Sequence, residues 1–246
     1  MYKIWFFLLL STSLLAETIT LAVAANVSYA MDELKAEFIK EHPETKVRII
    51  LGSSGKLSAQ IAQGAPYGLF MSANMKYPHA LYKSGHALSE PRVYVQGALA
   101  LFSLKPRDFS KGVRVLEEAD IKTIALANTK TAPYGMAAFE AMKNLGLDSK
   151  LKSKFIYAES VAQVTSYVLS AADIGFVAQS SLYSKKMSSY KENSHWISID
   201  KHLYRPIQQG MVLLKQSQNS KAYKAFYEFI LSPKAQVIFQ RYGYTI

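Results

Sequence analysis

The chain contains no cysteine, which excludes disulfide frameworks, thiolate metal centres, iron–sulfur clusters and cysteine nucleophiles together. Its five histidines, His42, His79, His86, His195 and His202, are dispersed. They form neither the i, i+4 pair nor the tight cluster that a zinc site requires, so no resident metal is expected. Charged residues are sparse at 19% and half the chain is apolar, the reverse of the composition that keeps a chain disordered. No Walker loop and no Gly-x-Gly-x-x-Gly fingerprint occurs, which leaves nucleotide chemistry without support. Basic residues outnumber acidic ones by 29 to 18, a formal net charge of +11. The lysines are nevertheless scattered, with no arginine stripe or RNA-binding aromatic signature. A solvated basic surface that raises encounter rates with small anions is expected, and no nucleic-acid partner.

The first residues carry a targeting signal. Lys3 supplies a positive start, residues 4–15 are largely apolar, and Ala16 offers a small residue for cleavage. The run is shorter than the ~20 residues needed to span a bilayer, so residues 1–16 read as a signal peptide and the mature chain is expected in the periplasm. No later stretch reaches ~18 uninterrupted apolar residues.

Past the leader, strand-like and helix-like segments alternate. Residues 18–25 form an apolar, β-rich run followed by helical spacing of Met31, Leu34, Phe38 and Ile39, with Asn26 or Ser28 as candidate N-caps. Residues 46–51 and 69–71 read as further strands, with a short helix between them. Two more strand–helix units follow at 123–145 and 155–170, then a strand at 174–177. Residues 93–104 and 207–214 read as long strands, 184–202 as polar surface, and two helices close the chain, the second after Pro233. This alternation predicts an α/β protein with largely parallel sheets covered on both faces. It also suggests two lobes around a cleft: residues 17–95 plus 208–246 as lobe 1, and residues 96–207 as lobe 2.

Three loops share one geometry: Ala24-Ala25-Asn26-Val27-Ser28, Gly52-Ser53-Ser54-Gly55 and Thr131-Ala132-Pro133-Tyr134-Gly135. Each follows a strand, carries small or hydroxyl residues and opens a helix. Helix N-termini expose unsatisfied N–H groups and about half a positive charge, so converging loops of this kind form an anion site without charged side chains. Taken singly, each is also an ordinary helix cap. An enzyme reading competes, because Ser53-x-x-Lys56 has the spacing of penicillin-recognising serine enzymes. Its companion elements are missing: there is no Ser-Asp-Asn, and Lys130-Thr131-Ala132 has alanine where glycine is needed. No catalytic residues are therefore assigned.

The stretches 24–31, Gly52-Ser53-Ser54-Gly55-Lys56-Leu57, Gly64-Ala65-Pro66 with 69–73, Ala132-Pro133-Tyr134-Gly135 and 239–244, in this order, resemble the periplasmic molybdate-binding proteins that feed ABC transporters. The resemblance runs over nearly the whole mature chain. It implies a type II periplasmic-binding-protein fold, two α/β lobes joined by a hinge of two crossover strands, with no catalysis and no cofactor. It further implies molybdate or tungstate as ligand, molybdenum present only within the bound ion, an ABC permease as partner and a monomer. Carried over by position, the anion falls on Ala25 and Asn26, on Ser54 with Ser53 adjacent, on the Tyr134 backbone and on Val161. Some family members use a tyrosine hydroxyl where this chain has Ala178, so that contact is excluded. Molybdate is proton-free near neutral pH and presents only acceptors, which suits a site of donors; none of these positions is Asp or Glu, and sulfate passes the same test. Charge-assisted hydrogen bonds of roughly 1.5–3 kcal/mol each, five or six in number, support micromolar to nanomolar affinity after the costs of closure.

Overall fold

A computed structural model describes residues 17–246; the expected signal peptide, residues 1–16, lies outside the described residues. Two five-stranded mixed sheets organise the chain. The first contains β1 (Glu17–Ala24), β2 (Thr45–Gly52), β3 (Leu69–Ser72), β4 (Arg92–Gly97) and β10 (Ile207–Leu213), in the order β2-β1-β3-β10-β4. The second contains β5 (Leu99–Phe102), β6 (Ile124–Ala127), β7 (Phe155–Ala158), β8 (Ile174–Ala178) and β9 (Trp196–Ser198), in the order β7-β6-β8-β5-β9. In each, four strands run in one direction and one, β10 in the first sheet and β5 in the second, runs antiparallel between them. The two sheets thus repeat one topology, although no period is visible in the sequence.

Helices cover both faces of the first sheet. Ile19, Leu21 and Val23 of β1 point to the side packed by α1 (Ser28–Glu41), α7 (Lys221–Ile230) and α8 (Pro233–Arg241), where Phe38, Phe226 and Phe239 are buried. Ala22 points to the opposite side, with Phe70, Val212 and residues of α2 (Ser54–Ala62) and α3 (Lys76–Lys83). The strand period of two therefore serves two separate cores, which is why β1 is apolar and buried at every position from Leu21 to Ala24. The second lobe has one continuous core around β5, β6 and β8, packed by α4 (Pro133–Asn144) and α5 (Val161–Ser170). A short α6 (Gln179–Leu182) follows β8.

The structure differs from the sequence reading in three places. The long strand expected over 93–104 is two strands, because the chain changes sheets at Ala98, whose carbonyl accepts from Gln179 N at 2.9 Å. The first sheet therefore keeps the chain through Gly97. The return passes through irregular backbone before β10, so the hinge is one interrupted strand and one loop-to-strand passage, not two crossover strands. Residues 184–202, read as polar surface, contain β9, with Trp196 6% and Ile199 3% exposed.

Candidate functional site

All three anchor loops end at the same place. Asn26 stands in the 3-10 turn Ala25–Val27 after β1, Ser54 begins α2 after β2, Tyr134 is the second residue of α4 and Val161 begins α5. Parallel strands followed by helices put these termini at the carboxyl edges of the two sheets, and the lobes face each other there. Asn26, Ser54, Tyr134, Val161, Ala25 and Ser53 all line one cavity. The rest of its wall is Ala24, Gly52, Ala73, Ala132, Pro133 and Ser160, so none of the lining residues carries a charge.

The cavity is small. The centre of a water-sized sphere can move through about 10 Å³ of it. That volume corresponds to a sphere of roughly 1.3 Å radius; adding the sphere's own ~1.4 Å gives a hollow of roughly 2.7 Å. This is the scale of a single tetrahedral ion.

Helix geometry supplies donors on both sides. The first four N–H groups of a helix have no intrahelical acceptor, and Ser54, Tyr134 and Val161 occupy first or second positions. Ser54 is fully buried, and its Oγ accepts from Ala73 N at 2.9 Å, which leaves the hydroxyl proton free to donate. Gly135 lets α4 start this close to β6: a Cβ there would sit 2.2 Å from the Ala127 carbonyl oxygen, a clash between backbones that no side-chain motion relieves.

The lobes are joined across the cleft. Gly55 N donates to Thr131 O at 2.8 Å, and Ser180 Oγ to Asn26 O at 3.1 Å. Ser53 donates its N–H and its hydroxyl to Glu159 Oε1 at 3.1 and 2.8 Å. Ser53 was expected to serve the anion; here it forms wall, because both of its donors are engaged by that carboxylate. Lys56 is exposed at the surface, and the Ser53 hydroxyl has Glu159 as its acceptor.

Asn26 also departs from expectation. Neither it nor Ser28 caps α1, whose N-cap is Val27 without a side-chain bond. The Asn26 amide instead enters a buried polar network. Nδ2 donates to Gln209 Oε1 at 2.9 Å and to the Tyr244 hydroxyl at 3.0 Å, while Oδ1 is buried and has no partner among the described residues. Gln209, 0% exposed, accepts from the Tyr94 hydroxyl at 2.9 Å and donates Nε2 to the Tyr134 hydroxyl at 3.2 Å. Burial pushes the Tyr94 and Tyr134 phenols well above their ordinary range and Tyr244 up to about 12, the latter against hydrogen bonds with Ser180 and Asn26 that pull it down. All three are therefore uncharged hydroxyls at any physiological pH. Gly97 of β4 makes room for this contact: a Cβ there would lie 2.1 Å from the Tyr134 hydroxyl and 2.6 Å from Gln209 Nε2. Sequence reading missed both Gln209 and Glu159, which reach the site only through tertiary structure. Two adjacent glutamines follow Ile207 in β10, and the strand period, which puts Gln208 outside and Gln209 with the buried Ile207, was the one local signal for Gln209.

Two α/β lobes that close over a hollow the size of one small ion define a solute-binding protein. The family model for bacterial extracellular solute-binding proteins matches residues 19–245, and the chain belongs to that family. It is 34% identical to the molybdate-binding protein ModA of Azotobacter vinelandii, over 97% of this chain and 94% of that protein. With ModA of Rhodobacter capsulatus it shares 35% identity over 91% and 86%, respectively. The solved periplasmic molybdate-binding protein of A. vinelandii superposes with a TM-score of 0.86 at 32% identity, covering 93% of this chain and 99% of that one.

Proposed function

We propose that the protein captures molybdate between its lobes in the periplasm, after export by the leader at residues 1–16, and delivers it to an ABC transporter permease. The observation that carries this reading is the convergence of three helix starts and the Ser54 hydroxyl, from two lobes, on one uncharged ion-sized cavity. Lobe 1 supplies Asn26 and Ser54, lobe 2 supplies the Tyr134 and Val161 N–H groups, and Ala25 and Ser53 frame them. A proton-free dianion accepts from the Ser54 hydroxyl and from the N–H groups of Ser54, Tyr134 and Val161, with Asn26 on the same wall. Hydrogen phosphate also carries a proton that needs an acceptor, and the lining offers no carboxylate for it. The names of the ModA relatives, similar over nearly their full lengths, support the same ligand. Tungstate has the same charge and shape and is expected to bind as well.

No catalytic step is assigned. The Ser53 hydroxyl donates to Glu159 and Lys56 is exposed at the surface, so the serine–lysine pair that the Ser53-x-x-Lys56 spacing would require is not formed. No cofactor is needed, and the protein is expected to act as a monomer that presents its closed form to the permease.

A thermal-shift panel of molybdate, tungstate, sulfate, phosphate and chromate tests this reading. Ligand at 1,000 times its Kd stabilises the native state by ~4 kcal/mol, or roughly 8–16 °C in a chain of this size. Molybdate and tungstate should give shifts of that order and phosphate none. A panel without response, or covalent labelling of Ser53 or Ser54 by a serine-directed acylating probe, would overturn it.

A further inference from the structure

The buried network has a property that the donor inventory alone does not reveal. Asn26 lines the cavity, and the one end of its amide not engaged by Gln209 or Tyr244 is the unpartnered Oδ1. An acceptor without a donor stands on the wall of a site otherwise built from donors. The Asn26 amide cannot turn over alone, because its oxygen would then face Gln209 Oε1 across 2.9 Å. The two amides can turn together. Gln209 nitrogen would then donate to the Asn26 oxygen and to the Tyr94 hydroxyl, and the Tyr134 hydroxyl would donate to Gln209 oxygen. The same heavy-atom positions and the same separations of 2.9, 2.9 and 3.2 Å serve both senses. Each uncharged phenol can donate or accept; the Tyr244 hydroxyl would turn its proton from the Asn26 carbonyl to the Asn26 side-chain oxygen, so the network gives up one internal bond while Asn26 Nδ2 is freed for the ion.

We propose that Gln209 is a positioning residue that sets which end of the Asn26 amide the bound ion meets, donor for a proton-free oxyanion and acceptor for a protonated one. This rests on the oxyanion-binding reading above. Tyr134 links the pair to the second lobe, because its hydroxyl meets Gln209 beside Gly97 while its backbone N–H starts α4. The polarity of the first-lobe donor is thereby tied to closure of the second lobe. A purely structural Gln209 would support the fold without affecting ligand choice.

The test uses the full mature chain with molybdate and inorganic phosphate as probes. Side-chain amide signals of Asn26 and Gln209 are followed by ¹⁵N NMR during molybdate titration of the wild type, and calorimetry is run on wild type, Gln209→Met and Tyr134→Phe. The expected result is that both amide pairs shift together on saturation. Gln209→Met should bind molybdate about tenfold more weakly, on the order of one lost charge-assisted hydrogen bond, with the molybdate-to-phosphate ratio reduced. Tyr134→Phe, which keeps the backbone donor, should bind about threefold more weakly, and it decides the matter if Gln209→Met does not fold. Wild-type affinity and selectivity in the folded variants, or Gln209 signals unmoved by saturating molybdate, would overturn the inference alone. A wild-type protein that takes up no oxyanion would overturn the functional reading and this inference with it.

Discussion

Ser53 of the first lobe donates both its backbone N–H and its hydroxyl to one carboxylate oxygen of Glu159 in the second, at 3.1 and 2.8 Å. The contact lies beside the ion-sized cavity and holds the two lobes together. It also places a negative group near a site for anions, so latch and repulsion oppose each other. Substitution separates them. Glu159→Gln keeps an acceptor and removes the charge, and molybdate affinity should stay within about threefold of wild type or rise. Glu159→Ala removes the latch, and release should accelerate about fivefold in stopped-flow displacement, with association little changed. Equal release rates for Ala and wild type would show that the contact does not hold the closed form.

Ser54 has two duties that one substitution removes. Its Oγ accepts from Ala73 N, and its proton is available to the cavity. Ser54→Ala leaves a buried N–H without its acceptor, which costs ~1–3 kcal/mol. The melting temperature should fall by several degrees and molybdate affinity by about 10–100-fold in calorimetry. Ser54→Asp should fold yet bind no oxyanion, because it places like charge in a water-poor site.

Gly97 and Tyr134 should behave as a suppressor pair. A methyl group at position 97 would stand 2.1 Å from the Tyr134 hydroxyl, but 3.2 Å from the ring carbon that bears it. Gly97→Ala should therefore lower molybdate affinity at least about tenfold by holding the lobes apart. Tyr134→Phe in the same chain should recover part of the loss, since Gln209 Nε2 at 2.6 Å is the end of a side chain that can shift. A double variant no better than Gly97→Ala would place the damage elsewhere.

The buried phenols make the fold sensitive to alkali. Tyr94, Tyr134 and Tyr244 have native pKa values above 10, with Tyr244 at about 12. Below pH 10 both native and unfolded chains keep these protons, so stability is fully present there. Above pH 10 the unfolded chain loses them first, and stability falls as pH rises, by up to ~1.4 kcal/mol per pH unit for each such phenol. Urea unfolding at pH 9, 10 and 11 should show this decline, and Tyr244→Phe should make it shallower. A flat profile would contradict the burial of these hydroxyls.

What could be read from the sequence was what short range determines. Apolar runs such as 18–25 marked strands, and small-residue loops placed Asn26, Ser54 and Tyr134 at helix starts, because strand–turn–helix chemistry is written in neighbouring residues. The misreadings all involve distant partners. Asn26 passed for a cap because its acceptor, Gln209, lies 183 residues away, and Ser53 passed for a ligand donor because Glu159 lies 106 residues away. The three-residue β9 was hidden among Lys, Ser and Tyr, since a strand so short has no period to display. The split between β4 and β5 was invisible for a related reason: both halves are apolar, and only the pairing partners decide which sheet each joins.

The central claim is that helix starts from two lobes enclose a proton-free tetrahedral ion, and a crystal of the protein grown with molybdate tests it most directly through anomalous scattering at the molybdenum edge. A single strong peak is predicted in the cavity, within hydrogen-bonding reach, through the oxygens, of Asn26, Ser54, Tyr134 and Val161. A peak elsewhere, or none at saturating molybdate, would contradict it.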